Sequence, residues 1–489
     1  MAFFTELMNV FQWDMMWLMF ASVLYGLIIG ILPGVGGPIA IALLIPLTFS
    51  LSPEAAIVIL ISAYGASNFG GSLTSILINT PGDAVNAATT FDGYPLAKQG
   101  KAGTAITAAM VSSALGGFVG LIVLLLMLPF ARKFILFFSY PDFFMLGLFG
   151  LAIIAVLTQG NSFRGFISGL FGLMLAFIGT EPVMGGERFS FGSLYLWDGI
   201  GLVPAIIGLF AITEAIRLST EKTSIAGEVK VKSGLAWDGV TAVFKNFWLF
   251  LRSCFIGIYI GMIPGVGGTV ASFMAYGTAV QMSKDKEKFG KGAIEGVIAV
   301  ESANDSKDGG SLLPTLVFGI PGSASMAVLI GGLMMHGLSP GPEMLKNQMD
   351  MTHFLIAAAM ISKLVAMILA LIIGTRLVFM TKIRSSLMAP AVIAISMLGA
   401  FGIDGRFGDV MVAVIFGFIG YMMQKYGYSR VALVIALVLG GMVESTFHQT
   451  LTSFGPSGFF TRPIAVTLFI ITIMMLIYPK IKKKTRKGV

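Results

Sequence analysis

The chain has 489 residues, of which 56% are hydrophobic and only 11% charged. A soluble globule carries about 25% charged residues to cover its surface, so a soluble protein is excluded, and the apolar content excludes low-complexity disorder. The single cysteine, Cys254, excludes a disulfide scaffold. The net charge of +8 is no nucleic-acid signal, because Lys480, Lys482, Lys483, Lys484, Arg486 and Lys487 hold six of the 32 positive charges.

An all-α polytopic membrane protein remains. The opening MAFFTELMNV holds no Lys or Arg, so the positive region of a cleavable signal peptide is missing. Apolar segments follow near 15–32, 39–51, 54–66, 104–131, 142–158, 164–180 and 200–216. More lie near 246–263, 265–282, 292–302, 311–335, 352–380, 389–402, 409–424, 429–443 and 463–479. A full span needs about 20 apolar residues. Several segments are too short, so the expectation is about 10–12 transmembrane helices plus broken or re-entrant pieces. Continuous apolar runs argue against a β-barrel.

Loop charges suggest sides. The 217–245 stretch (Arg217, Lys222, Lys230, Lys232, Lys245), the 284–291 stretch and the 480–489 tail read as cytoplasmic. The acidic 181–198 stretch reads as external. Arg132 and Lys133 fit this scheme poorly. A basic tail after an apolar helix suits anionic lipid.

The chain repeats itself. Residues 30–37 read GILPGVGG and residues 261–268 read GMIPGVGG, identical at six of eight positions. GGSL recurs at 70–73 and 309–312, then NTPG at 79–82 is echoed by GIPG at 319–322. The expected organisation is a first repeat at 1–216, a cytoplasmic linker at 217–245, a second repeat at 246–479 and the tail. Duplicated halves with a site between them are common in secondary transporters. Inversion is favoured, which puts the amino terminus outside.

Proline removes a helical donor and glycine frees the backbone. Each motif should therefore break its helix, and broken backbone in a bilayer must line a cavity or be buried in protein. Half-helix amino termini suit carboxylates, and freed carbonyls suit Na⁺. The expected substrate contacts are Gly34, Gly36, Asn79, Thr80, Pro81, Gly82, Gly265, Gly267, Gly319, Pro321, Gly322 and Ser323. The expected cation contacts are Ser67, Asn68, Ser302, Asn304 and Asp305. The bland alternatives are glycines that only allow close helix packing, and a merely solvated loop at 301–308. Lys307 either pairs Asp308 or faces an anion.

Other chemistry is thin. His336, His353 and His448 lack metal-ligand spacing, so no metal beyond Na⁺ and no cofactor is expected. Neither PGVGG continues into Gly-Lys-Ser/Thr, and no G-x-S-x-G or H-E-x-x-H occurs, so no enzyme is expected. Glu214, Glu295 and Glu444 are proton-relay candidates or solvated helix ends.

At GILPGVGGPIAIALLIPLTF (30–49), YGASNFGGSLTSILINTPGDA (64–84), GMIPGVGG (261–268) and the run from Glu301 to Ala324, the chain resembles the large membrane subunit of the tripartite tricarboxylate transporter family. The resemblance covers essentially the whole length. It implies a bacterial inner-membrane secondary transporter working with a small four-helix membrane subunit and a periplasmic solute-binding protein. It also implies uptake of a tricarboxylate or related carboxylate, driven by Na⁺ or H⁺ through alternating access, with an elevator-like motion by analogy. Rival readings are an ion or solute channel without obligate coupling, an intramembrane enzyme, and an assembly subunit.

Overall fold

The computed structural model describes residues 2–32, 34–157, 162–181, 185–220, 236–377 and 385–486. Pro33, Lys222, Lys230, Lys232 and Lys487 lie outside the described residues, as do the side chains of Lys480, Lys482, Lys483, Lys484 and Arg486.

The chain is helical and polytopic. It opens with α1 (Ala2–Val10), α2 (Trp13–Ile31), α3 (Gly37–Thr48) and α4 (Pro53–Ile78). A 3₁₀ turn (Ala84–Thr89) leads to α5 (Thr90–Leu96), α6 (Ala102–Ile135), α7 (Tyr140–Leu157) and α8 (Ser162–Ala176). Two short strands, β1 (Gly179–Thr180) and β2 (Glu187–Arg188), pair antiparallel. Next come α9 (Leu202–Ile206), which continues through a π-helical stretch (Ile207–Ile212) into α10 (Thr213–Thr220), then α11 (Trp237–Lys245) and α12 (Phe247–Gly261). These precede α13 (Gly267–Met282), α14 (Ile294–Phe318), α15 (Ala324–Met335), α16 (Pro342–Lys346) and α17 (Met349–Leu377). The chain closes with α18 (Ser385–Asp404), α19 (Phe407–Lys425), α20 (Arg430–Phe454), α21 (Gly458–Thr461) and α22 (Pro463–Arg486).

Among the described residues, seven helices are long and apolar enough to cross a membrane, or eight if the bent pair α11–α12 is one span. Six further apolar helices are shorter within the described residues, and two of them, α3 and α15, are half-helices that start at the Gly/Pro breaks. The 217–245 stretch is not all linker. Its last part is α11, bent 77° from α12, with Trp237 and Phe244 exposed on it.

Glycine sets the close helix contacts. A Cβ on Gly30 would strike the Ser67 carbonyl, and one on Gly70 would strike that of Leu27, so α2 and α4 touch backbone to backbone. At α12 and α14, Gly261 meets the Lys307 carbonyl and Gly310 that of Ile258 in the same manner. Small residues allow this approach in a bilayer. Further, α1 packs on α17 while α11 packs on α6, and α17 packs on α4 while α6 packs on α14.

The breaks also match. The helix α4 ends on Asn79 at φ 56° and α14 on Gly319 at φ 69°, both left-handed. Gly34 and Gly265 take φ of 79° and 77°. The Gly34 N–H donates to the Gly82 carbonyl at 2.8 Å, and the Gly265 N–H to that of Gly322 at 3.2 Å. Each PGVGG loop is thus pinned to the Pro-Gly break of its own half.

Candidate functional site

A cavity of about 470 Å³ opens where the two PGVGG loops meet. Gly34, Gly36, Gly265, Gly267, Ser323 and Asp83 line it. The lining also includes Phe210, Glu214, Gln424 and the stretch from Gly427 to Val431 at the α19–α20 connection. The half-helix α3 begins at Gly37, and α15 begins behind Ser323, whose Oγ accepts from the Met326 N–H at 3.3 Å. Two amino termini therefore meet one cavity, where dipoles and free N–H groups favour an anion. Asp83 already uses part of this capacity. Its Oδ2 accepts from the Gly37 N–H at 3.4 Å and its Oδ1 from the Ala84 N–H at 2.6 Å.

Guanidinium groups also stand at the cavity. Arg430 donates from Nη1 to the Leu209 carbonyl at 3.0 Å and sits 5.5 Å from the Phe210 ring centre. Arg217 pairs with Glu214 and lies so close to Gly34 that a Cβ there would strike its guanidinium. Arg217 is therefore no loop charge: it ends α10 beside the cavity.

Directly behind the loops lies a buried charged cluster. The last glycines of the two motifs give it room, since Gly37 packs on the Tyr64 ring and Gly268 on the Lys307 side chain. Tyr64 Oη donates to Asp308 Oδ1 at 2.5 Å. Lys307 Nζ donates to the same oxygen at 2.7 Å, and Lys363 Nζ to Asp308 Oδ2 at 2.7 Å. Lys363 also pairs with Asp305. One turn back on α14, Glu301 accepts from Ser72 Oγ at 2.8 Å, Ser113 Oγ at 2.8 Å and Thr89 Oγ1 at 2.5 Å. Glu301 and Asp305 are wholly inaccessible, and Lys307 and Asp308 nearly so. Residues 301–308 are therefore helix interior and not a solvated loop, and Lys307 pairs with Asp308. Ionisable groups at such depth cost several kcal/mol each unless paired; by default they signal function.

The structure distributes the expected residues unevenly. Of the substrate set, Gly34, Gly36, Gly265, Gly267 and Ser323 reach the cavity. Gly82 and Gly322 brace the loops through their carbonyls. Asn79 and Gly319 cap helices, the Thr80 hydroxyl bonds the Ile78 carbonyl, and Pro81 and Pro321 sit within the breaks and outside the cavity lining. Of the cation set, Ser67 and Ser302 donate to carbonyls of their own helices, Tyr64 and Ile298. The Asn68 carbonyl accepts from Asn86 Nδ2 at 3.1 Å. Neither amide atom of Asn304 has a hydrogen-bond partner among the described residues. The sequence reading missed Lys363, Tyr64, Arg430, Thr89 and Ser113. Lys363 had a signal: it is the one Lys, Arg, Asp or Glu between Asp350 and Arg376.

Glu181 and Glu444 belong elsewhere. Glu444 pairs with Arg188 at 2.5 Å, and His448 Nε2 lies 3.5 Å from Glu181, fastening the β1–β2 hairpin to α20. Glu295 pairs with Lys288 at 2.6 Å. His336 bonds Thr48 at 3.0 Å, and no group of three or more His, Cys, Asp or Glu suits a metal among the described residues.

Broken helices ending on a shared cavity within a polytopic helical protein are the architecture of a membrane transport protein. The chain belongs to the tripartite tricarboxylate transporter TctA family, which matches residues 16–435. It is therefore a multi-pass component of a tripartite tricarboxylate transporter, a system whose name implies further subunits. Over 474 residues the chain is 32% identical to an uncharacterized 52.8 kDa protein in the TAR-I ttuC' 3' region of Agrobacterium vitis. That match covers 96% of this chain and 94% of the relative. An uncharacterized protein in the TAR-II ttuC' 3' region of the same organism is 31% identical over 233 residues, 47% of this chain and 96% of that one. No solved structure matches.

Proposed function

We propose that the chain is the translocating subunit of a secondary transporter that imports a carboxylate across the bacterial inner membrane. A periplasmic solute-binding protein delivers the substrate, a small four-helix membrane subunit accompanies the chain, and a Na⁺ or H⁺ gradient drives uptake by alternating access. The observation that carries this reading is the shared cavity, lined by both PGVGG loops and by Arg430. Its volume suits a small organic acid, since ligand sites run from about 300 to 1,000 Å³. A carboxylate there meets half-helix dipoles and a guanidinium with its planar fork of donors. The PGVGG loops precede α3 and α13 while Arg430 opens α20, so a change in the spacing of these elements would release the anion. A ligand shifts such an equilibrium only through differential affinity for its two states.

Two inverted repeats, 1–216 and 246–479, are part of the proposal. Their support is the matched pair of pinned loops and the way α1 caps α17 while α11 caps α6. Contacts run Gly116 to Ser302 and Gly120 to Ser306, so α6 is parallel to α14. They run Gly65 to Lys363 and Gly374 to Leu73, so α17 is parallel to α4. Tyr64 meets Asp308 and Ser72 meets Glu301, so the two sets are antiparallel. The end that carries Arg217, Lys425 and Arg430 is assigned to the cytoplasm with the carboxy terminus, following the positive-inside rule.

Vesicles that hold the chain and its small partner, supplied with binding protein and labelled carboxylates, test the reading. Accumulation against the substrate gradient is expected only when a cation gradient is imposed. Arg430→Gln should cut uptake about 100-fold, the scale of losing one charge-assisted contact of about 2–3 kcal/mol, with unchanged protein in the membrane. Arg430→Lys should recover part of it. Downhill flux without accumulation would point to a channel, and full uptake in Arg430→Gln would remove the cavity from the path.

A further inference from the structure

The buried cluster is unbalanced, and the imbalance has an address. Asp305 and Asp308 face Lys307 and Lys363, two charges against two. Glu301 is a third acid, wholly buried, and forms no ion pair among the described residues. It is held by three hydroxyls from three different elements: Ser72 on α4, Thr89 on the 3₁₀ turn and Ser113 on α6. A single carboxylate ringed by hydroxyls is an all-oxygen donor set of the kind hard cations take. One monovalent cation would bring the cluster to neutrality.

We propose that Glu301 with Ser72, Thr89 and Ser113 is the seat of the coupling cation, and that the cation is Na⁺. The proposal rests on the transport reading above and names its ion site. One hydroxyl is already prepared for the exchange. Ser72 Oγ lies 3.1 Å from the Asn68 carbonyl as well as 2.8 Å from Glu301. Its hydrogen can turn to that carbonyl and leave a lone pair for the ion. The route to the substrate is equally short. The turn Ala84–Thr89 has Asp83 as its amino-terminal cap and Thr89 as its last residue. Asp83 borders the cavity and holds the Gly37 N–H at the start of α3. Between them, Asn86 fixes the turn to α4 by donating to the Asn68 carbonyl at 3.1 Å and to Ser72 Oγ at 2.9 Å. One short turn therefore touches the cation seat at one end and the anion cavity at the other. A cation that orders Thr89 also orders Asp83, and with it the amino terminus of α3.

The test is thermal unfolding of the purified full chain in detergent, with NaCl exchanged for choline chloride or KCl at constant ionic strength, at two pH values. A ligand that binds only the folded state raises its midpoint with concentration. The expected result is a midpoint that rises by a few degrees with Na⁺ and not with K⁺ or choline. Glu301→Gln, which is isosteric, should abolish the rise. Thr89→Val and Ser113→Ala should each weaken the apparent Na⁺ affinity about tenfold without lowering the Na⁺-free midpoint as much as the ion raises it. An unchanged Na⁺ response in Glu301→Gln overturns the assignment. So does a wild-type protein that ignores Na⁺, whether or not its midpoint follows pH. Because the readout is binding by the chain alone, loss of carboxylate uptake leaves this result standing, and loss of the Na⁺ response leaves the uptake assay standing.

Discussion

Lys363→Met is expected to remove folded protein from the membrane, with extracted material eluting as aggregate on fluorescence-detected size exclusion. Lys363 sits in α17, the helix that closes the cluster from outside the motif segments, and bonds both Asp305 and Asp308. Its side chain is 3% exposed, and Asp305 is 0% exposed, so water cannot replace the ammonium when it is removed. Breaking a buried pair by deleting one partner costs about 3–5 kcal/mol, against a total stability of roughly 5–15 kcal/mol. Here one ammonium serves two carboxylates, so the cost falls at the upper end. Methionine fills similar volume, which separates loss of charge from loss of packing. The double variant Lys363→Met/Asp305→Asn restores the charge balance and should recover the monodisperse peak. It should not recover uptake if the cluster takes part in coupling. A single variant with unchanged elution and melting would show that Asp305 and Asp308 find another cation, and the two-against-two balance would be wrong.

The same lysine shows what the sequence carries and where it stops. Fold class follows from composition, because nothing soluble tolerates so few charges. The duplicated loops are literal in the sequence, and so is their consequence. Proline and glycine inside an apolar run cannot continue a helix, and left-handed geometry at Gly34 and Gly265 follows. The polar run at 301–308 was also visible, but whether it was loop or helix was not. The answer depends on α4, α6 and α17 packing over it. Lys363 stood out only as a lone charge in an apolar stretch, without a partner in sequence. Ser113 had no signal, because a hydroxyl in an apolar helix usually bonds its own backbone, as Ser67 and Ser302 do here, and Thr89, at the end of a short turn, had none either. Arg217 and Arg430 were indistinguishable from the loop charges that set topology, and only the tertiary contact with Gly34 and Phe210 separates them. The half-helices α3 and α15 were legible because each follows a PGVGG or Pro-Gly break.

Gly120→Val is expected to have the second large effect, and it tests how the cation seat is assembled. The helices α6 and α14 meet through Gly116, Gly120 and Gly309. A Cβ on Gly120 would strike the Ser306 carbonyl, and one on Gly309 would strike the backbone of Gly120 itself. Backbone cannot swing aside as a side chain does, so the helices must separate. Overpacking of this sort costs about 1–3 kcal/mol where side chains can yield, and more where they cannot. Ser113 lies two turns before Gly120 on the same seam, and its 2.8 Å bond to Glu301 depends on that spacing. Gly120→Val should therefore leave little monodisperse protein. Gly120→Ala, the smaller intrusion, should keep the fold with a lowered midpoint and a weakened Na⁺ response, because the hydroxyl is drawn away from the carboxylate. If Gly120→Ala lowers the midpoint but leaves the Na⁺ response at wild-type strength, Ser113 is not a ligand and the glycine seam serves packing alone.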